Sequence, residues 1–308
     1  PTNYALKMSI KIDHILKSSK ELYPRIIEEL SSQFTKKYDK NTKTFAQLNT
    51  WKEDELTNTL LKRYQETETT WITKDELINL LDWKLAKGKF RPMLPKLIKS
   101  NDNIDVEEIT KQGYQYLLDY FKLHTSNDKQ KQQPKLLDKF WGEANDQDKI
   151  EYSEIIKKSF EKFTLLKGVG PAMASLLANL LIKINPYLTP PFFSDESFSF
   201  YYMESFRPGE KIKYNMKEYI EELLPVYLEI ISQYPDVTMN TLERGGWALK
   251  NYQIQRNEKL ANIEIEYITT TTTDNDDNEE EDINRLKLDH KPDLKLVAST
   301  PRRKKQKK

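Results

Sequence analysis

Two glycines near the middle of the chain have the spacing of a backbone anion site. They lie in the segment Lys167-Gly168-Val169-Gly170, after an apolar helical pattern that ends at Leu166 and before one that begins at Pro171. Glycine permits positive φ, and proline suits a first helical turn because its missing N–H would be unpaired there. Free N–H groups at a helix N-terminus attract phosphate. We therefore expect this hairpin to bind a phosphate, with Lys167 as a charge at its rim; an ordinary tight turn is the alternative.

A second segment combines basic and aromatic residues. Six bases and no acid lie between Lys84 and Lys99, with Trp83 and Phe90 interleaved. Bases neutralise phosphates, while an aromatic side chain can stack or wedge. The pattern predicts contacts to a nucleic-acid backbone, and a solvated basic face is the alternative. The residues predicted to make these contacts are Lys84, Lys87, Lys89 and Arg91.

Residues 165–177, with the sequence LLKGVGPAMASLL, resemble the hairpin of the helix-hairpin-helix DNA glycosylase superfamily, whose members remove damaged bases from DNA. In that superfamily an essential aspartate lies on a loop beyond the second helix, and Asp195 stands in the matching place, 25 residues after Gly170. Lyase-type members carry a catalytic lysine where this chain has Ala172, so the resemblance implies base removal without strand cleavage. Residues 83–92 and 192–196 also resemble a group of eukaryotic proteins of unassigned function.

The resemblance implies a catalytic role for Asp195, and the adjacent Glu196 is the other candidate for it. Positive charge builds on the deoxyribose when an N-glycosidic bond breaks. A carboxylate beside the sugar stabilises that charge and can position or deprotonate the attacking water. The structural alternative is that Asp195 caps the N-terminus of a helix that begins near Glu196.

Aromatic residues near these carboxylates are candidates for stacking on a base. An enzyme that acts on a base must take it out of the stack, and aromatic side chains usually sandwich it. The candidates are Trp83, Tyr201 and Tyr202, and packing in the core is the alternative for each. The two alternatives for the whole protein are a non-catalytic nucleic-acid-binding protein with this hairpin and a helical scaffold for protein partners.

The elements that position these residues are predicted to be helices. Thr73 and Glu76 form a capping-box pattern, and the helix that follows should end at Gly88. Further helical patterns cover residues 106–123, the two sides of the hairpin, residues 216–234 with a break or kink at Pro225, and residues 237–255. The sequence thus predicts a mostly α, two-lobed helical fold. Its parts are a helical extension (1–70), a helix-hairpin-helix glycosylase-like domain (71–262) and a disordered acidic and basic tail (263–308).

Composition excludes several classes of site. The chain has no cysteine, and its three histidines (His14, His124 and His290) lack ligand spacing, so we expect no metal and no cofactor. No stretch approaches the roughly 18 apolar residues of a membrane span, so we expect no membrane contact. The hairpin and the basic segment predict DNA as the partner, and protein partners stay open. The net charge of +1 conceals an acidic run at residues 274–282 and a basic end at 301–308. The basic end predicts a nuclear location, with the cytoplasm as the alternative.

Overall fold

The computed structural model describes residues 12–125 and 140–265. Within these ranges the chain is mostly helical, and the β-type pairing there is an isolated antiparallel bridge between Tyr38 and Lys43. The prediction of a mostly α fold is therefore confirmed. The first residues of the predicted tail, 263–265, are described, and Ile263 and Ile265 are buried in the core, so the predicted boundary at 263 is too early. The rest of the predicted tail lies outside the described residues.

The α-helical segments of the described ranges are numbered α1 to α14 in chain order. They are α1 (Ile12–Lys17), α2 (Tyr23–Gln33), α3 (Phe45–Thr50), α4 (Thr57–Thr67), α5 (Lys74–Lys87), α6 (Leu94–Lys99), α7 (Asn103–His124), α8 (Phe140–Glu143), α9 (Asp146–Phe163), α10 (Pro171–Asn179), α11 (Asp195–Phe198), α12 (Glu204–Phe206), α13 (Leu224–Gln233) and α14 (Met239–Gln255). Four π-helical segments extend these helices, at Ser18–Leu22, Trp51–Leu56, Ser199–Met203 and Glu218–Leu223, and a 3₁₀ segment at Leu180–Lys183 follows α10.

Local sequence signals place several helix ends correctly. The side chain of Thr73 accepts from the Glu76 N–H, and the Glu76 carboxylate accepts from the Thr73 N–H, so α5 begins at the predicted capping box. The helix ends before Gly88, as expected. Pro225 is in the first turn of α13, directly after a π-helical segment, so the helical hydrogen-bond pattern changes at the position where a break or kink was predicted.

The N-terminal helices pack on the last long helix of the described chain. Gly245 of α14 lies against the backbone of Ile15 in α1, and a Cβ at this position would overlap the Ile15 carbonyl. A residue with no side chain is therefore required for the two helices to approach this closely. Ile15, Leu22 and Trp247 are buried in one continuous apolar core, which also contains residues of α5 and α10.

Candidate functional site

The hairpin between α9 and α10 is fixed to the protein on its inner side. Val169 is buried, and its N–H donates to the Leu166 carbonyl at 3.1 Å. Gly168 has φ +81°, and a Cβ there would lie 3.0 Å from Leu97 Cβ, so both the backbone angle and the space require glycine. Val169 therefore anchors the turn in the core and does not present its N–H to a phosphate. For this residue the sequence prediction is wrong.

A side chain that the sequence did not single out holds the same turn. The Asn101 Oδ1 accepts from the Lys167 N–H at 2.8 Å, and Asn101 Nδ2 donates to the Lys167 carbonyl at 2.9 Å. Asn101 is buried just beyond α6, so one amide group fixes both polar atoms of one hairpin residue. Nothing in the local sequence around Asn101 indicates this contact. The side chain of Lys167 remains exposed.

The outer side of the hairpin presents unpaired amides. Gly170 immediately precedes α10, is exposed, and provides no side-chain cap for the helix. In the described part of the chain, no hydrogen-bond acceptor pairs with the N–H groups of Gly170, Ala172 and Met173. Such groups at the start of a helix carry partial positive charge. These N–H groups are therefore free to donate hydrogen bonds to a ligand at the start of α10.

A cavity of about 410 Å³ opens beside these amides. The hairpin side contributes Gly168, Gly170, Pro171, Ala172 and Met173, and α5 with its following loop contributes Lys84, Lys87, Lys89 and Arg91. The opposite wall is formed by Phe192, Phe193, Ser194, Asp195, Glu196 and Tyr214, with Trp247 from α14. The chain thus brings the glycine hairpin, part of the basic segment and the candidate carboxylates around one space.

Asp195 lies at the start of α11 but does not cap it. The cap is Ser194, whose Oγ accepts from the Ser197 N–H at 3.3 Å. The Asp195 carboxylate instead accepts from the Tyr214 hydroxyl at 2.6 Å, and its Oδ2 lies 3.9 Å from Lys89 Nζ. Its side chain keeps 19% of its surface exposed. The structural alternative for Asp195 is therefore wrong, and this carboxylate faces the cavity.

Tyr214 links Asp195 to the basic segment and is another residue that the sequence did not indicate. Arg91 donates to the Tyr214 hydroxyl at 2.9 Å, and its guanidinium lies over the tyrosine ring at 5.3 Å. Tyr214 has φ +57°, an uncommon angle for a residue with a side chain. Burial and the Asp195 charge raise the pKa of this hydroxyl well above its ordinary value, so it remains a hydrogen-bond donor.

Glu196 keeps its proton to a higher pH than an ordinary glutamate. Burial and the neighbouring Asp195 charge raise the pKa of Glu196 from 4.5 to about 7. A carboxyl group whose pKa lies near the working pH is suited to transfer a proton. A second cavity of about 690 Å³ shares Asp195, Glu196 and Tyr214 with the first and is otherwise lined mainly by residues 203–212 and the end of α14.

Lys87 is not available to a nucleic-acid backbone, contrary to expectation. Its Nζ lies 3.3 Å from Glu243 Oε1, and both side chains are nearly inaccessible to solvent. Four aromatic rings surround the ammonium, with centroids at 4.7–5.5 Å; they belong to Tyr23, Trp83, Phe192 and Trp247. Glu243 also accepts from Ser194 at 2.7 Å, so the buried pair supports the segment that carries Asp195.

The three aromatic residues predicted to stack on a base are core or partly buried side chains that do not line the cavity. Trp83 is 1% exposed and donates from Nε1 to Asn49 at 3.0 Å. Tyr201 is equally buried and donates to the Leu242 carbonyl at 2.7 Å. Tyr202 stacks on Phe198 with ring centroids 5.7 Å apart. The core alternative is therefore correct for Trp83 and Tyr201, and the aromatic walls of the cavity are Phe192, Phe193, Tyr214 and Trp247.

The surface beside the cavity combines charge with apolar side chains. Lys89 is exposed, and the next residues along the loop include Phe90 and Met93, which are 66% and 64% exposed. Leu165, at the start of the hairpin, is 62% exposed. Large apolar side chains next to cations on a surface are typical of binding regions.

Comparison of the chain with protein-family models, curated proteins and solved structures finds no match. None of the helices in the described ranges is long and apolar enough to cross a membrane. Among the same residues no group of three His, Cys, Asp or Glu side chains could hold a metal ion.

Proposed function

We propose that this chain is a divergent DNA glycosylase with a helix-hairpin-helix fold, which binds duplex DNA at the hairpin and hydrolyses the N-glycosidic bond of a damaged base. The observation that carries the proposal is that the Asp195 carboxylate and the uncapped amides of α10 face the same cavity. A phosphate at those amides would bring the adjoining sugar to the carboxylates.

The cavity has a suitable size and lining for an extruded base. Its volume of about 410 Å³ falls within the roughly 300–1,000 Å³ typical of small-molecule sites. Phe192, Phe193 and Trp247 provide flat apolar walls, and cations are also part of the lining. A damaged or mismatched base needs less energy to leave the helix, which favours such a substrate over an intact pair.

The two carboxyl groups would take different roles in the reaction. Asp195 stabilises the positive charge that develops on the deoxyribose and positions the attacking water. Glu196, which burial keeps protonated up to about pH 7, donates a proton to the departing base. Tyr214 orients the Asp195 carboxylate through its hydrogen bond and is a positioning residue in this scheme.

Contacts to the DNA backbone are assigned to the hairpin amides and to the exposed cations. Lys89 and Arg91 line the cavity, Lys167 is exposed on the hairpin, and these three cations would neutralise phosphates. Because such contacts read no sequence, specificity would come from the base that fits the cavity.

Base release from a panel of duplexes, each with a different damaged base, tests the proposal. Release is measured as alkali-dependent strand breakage for the wild type, for Asp195→Asn and for Asp119→Asn. The control replaces an exposed aspartate of α7 that lines neither cavity. We expect release by the wild type and the control and its loss in Asp195→Asn.

The outcomes separate the proposed function from its alternatives. Binding that weakens steeply with salt, without release from any duplex, would favour a non-catalytic DNA-binding protein. Absence of salt-dependent binding would favour a protein scaffold. Release that persists unchanged in Asp195→Asn would contradict the role of this carboxylate.

A further inference from the structure

Tyr214 has a backbone conformation that its surroundings must maintain. Its φ of +57° lies in the left-handed region, which a residue with a Cβ adopts only at a cost in energy. Such residues persist where neighbouring contacts fix them, and they are concentrated at functional sites. From this conformation the Tyr214 hydroxyl donates to the Asp195 carboxylate at 2.6 Å. The contacts that hold the Tyr214 backbone therefore also determine where this hydroxyl lies.

A buried carboxylate, Glu218, binds the backbone of this turn. Glu218 is 1% exposed. Its Oε2 accepts from the Tyr214 N–H at 2.7 Å and from the Lys213 N–H at 2.9 Å, and its Oε1 lies 3.0 Å from the same Lys213 nitrogen. Hydrogen bonds to an ionised acceptor are about twice as strong as those between neutral groups. One side chain thus fixes two successive peptide groups at the residue with positive φ.

Glu218 is itself fixed from two sides. The side chain of Asn215 accepts from the Glu218 N–H at 2.9 Å, as the first residue of a capping box does. The Glu218 carboxylate then reaches back to residues 213 and 214 rather than to the Asn215 N–H. On the other side, Arg207 Nη1 donates to Glu218 Oε1 at 2.8 Å and to Glu222 Oε2 at 2.7 Å. Removal of the Glu218 charge would therefore leave the Arg207 guanidinium paired with Glu222.

We infer that Glu218 is a positioning residue for base removal, because it holds Tyr214 in the conformation from which the hydroxyl orients Asp195. The inference rests on the proposed function and extends it to a carboxylate that lines neither of the two cavities. Arg91 contacts the side chain of Tyr214, whereas Glu218 binds its backbone N–H. Without the Glu218 contacts the turn can relax to negative φ, the Tyr214 hydroxyl moves, and the Asp195 carboxylate loses this donor.

A double-mutant cycle tests the assignment. Single-turnover base release, duplex binding and thermal unfolding are measured for the wild type, Glu218→Gln, Tyr214→Phe and the double variant. Glutamine keeps the size of Glu218 but has one acceptor oxygen and no charge. Glu222→Gln is the matched control, because Glu222 binds the same Arg207 nitrogen, and within the described residues no backbone N–H of the turn donates to it.

Both single substitutions should slow base release to a similar extent. Loss of a hydrogen bond to a charged group corresponds to a decrease of about 10- to 100-fold in the single-turnover rate. The double variant should be no slower than Tyr214→Phe, because Glu218 acts through the Tyr214 hydroxyl. Duplex affinity should stay unchanged in all variants, and Glu222→Gln should retain the wild-type rate. A merely structural role of Glu218 would instead give losses that multiply in the double variant.

Hydrogen exchange of the Tyr214 amide gives a second readout that needs no catalysis. In protein labelled with ¹⁵N-tyrosine, the nuclear magnetic resonance signal of this amide is identified by its absence in Tyr214→Phe. We expect slow exchange in the wild type and in Glu222→Gln, and exchange about tenfold or more faster in Glu218→Gln. The wild-type measurement stands even if Glu218→Gln does not fold.

The outcomes distinguish the inference from the proposed function. Fast exchange of the Tyr214 amide in the wild type, or slow exchange that is unchanged in Glu218→Gln, would contradict the inference whether or not a base is released. Rate losses that multiply in the double variant would overturn the link through Tyr214. Absence of base release from every duplex of the panel would contradict the proposed function and with it the role in base removal, while the exchange data would still show whether Glu218 holds Tyr214.

Discussion

Replacing Glu196 with glutamine should stabilise the protein at neutral and higher pH. The pKa of this carboxyl is raised from 4.5 to about 7, because its charged form is buried next to Asp195. One pKa unit corresponds to about 1.4 kcal/mol, so ionising Glu196 in the folded protein costs about 3 kcal/mol more than in the unfolded chain. Glutamine keeps nearly the same shape and has no charge to bury.

The direction of the pH dependence follows from whether the folded or the unfolded chain holds the Glu196 proton. Below about pH 4.5, both the folded and the unfolded chain keep the Glu196 proton, so the group contributes no pH dependence. Between about 4.5 and 7 only the folded chain keeps it, and stability falls as pH rises. Above about pH 7 Glu196 is ionised in both the folded and the unfolded chain, and the free energy of unfolding falls no further. Glu196→Gln should therefore match the wild type near pH 4 and exceed it by up to about 3 kcal/mol near pH 8.

Urea unfolding followed by circular dichroism between pH 4 and pH 8 measures this difference. Glu108→Gln is the matched control, because Glu108 is exposed on α7 and accepts a hydrogen bond from Gln112 on the same helix. If the free energy of unfolding of Glu196→Gln differs from that of the wild type by the same amount at pH 4 and at pH 8, the reasoning is refuted. If Glu196 is the general acid, base release by the wild type should also decline above about pH 7, where Glu196 loses its proton. Glu196→Gln should release less base than the wild type below about pH 7.

Five further substitutions test the hairpin and the buried pair. Gly168→Ala should lower the free energy of unfolding by about 1–3 kcal/mol and weaken duplex binding. Gly170→Ala should leave the free energy of unfolding unchanged, because a Cβ at this position meets no other atom. Urea unfolding measures the stability of both variants, and gel shifts measure their binding. Lys87→Met should cost about 3–5 kcal/mol because it leaves Glu243 charged and unpaired, and adding Glu243→Gln should recover part of that loss. Lys167→Gln should weaken binding equally for all duplex sequences and reduce the slope of log affinity against log salt by about 1. An unchanged slope would mean that Lys167 contacts no phosphate.

The features that depend on neighbouring residues could be predicted from the sequence. The capping box at Thr73 and Glu76 and the end of α5 at Gly88 are local, because the hydrogen bonds involved span three or four residues. The hairpin is local for the same reason. Two glycines, a proline and the apolar residues on either side are sufficient to specify a turn between helices.

The identity of the buried face of α5 could not be predicted. Lys84 and Lys87 are three residues apart and looked equivalent as bases on one helical face. Lys87 is buried because Glu243, which lies 156 positions further along the chain, is its partner, and no local pattern contains that information. The contacts of Asn101 with the hairpin and of Tyr214 with Asp195 are also long-range, so both were missed.

The close approach of α1 to α14 at Gly245 makes the N-terminal residues part of the site. Tyr23, directly after the π-helical segment that follows α1, packs edge-to-face against Trp247 with ring centroids 5.3 Å apart, and its ring centroid lies 5.0 Å from the Lys87 ammonium. A fragment that began at residue 71 would lack the Tyr23 ring, and water would reach the Lys87–Glu243 pair from the side that this ring covers. The N-terminal helices thus shield the Lys87–Glu243 pair from water, and the protein used in the assays should retain them.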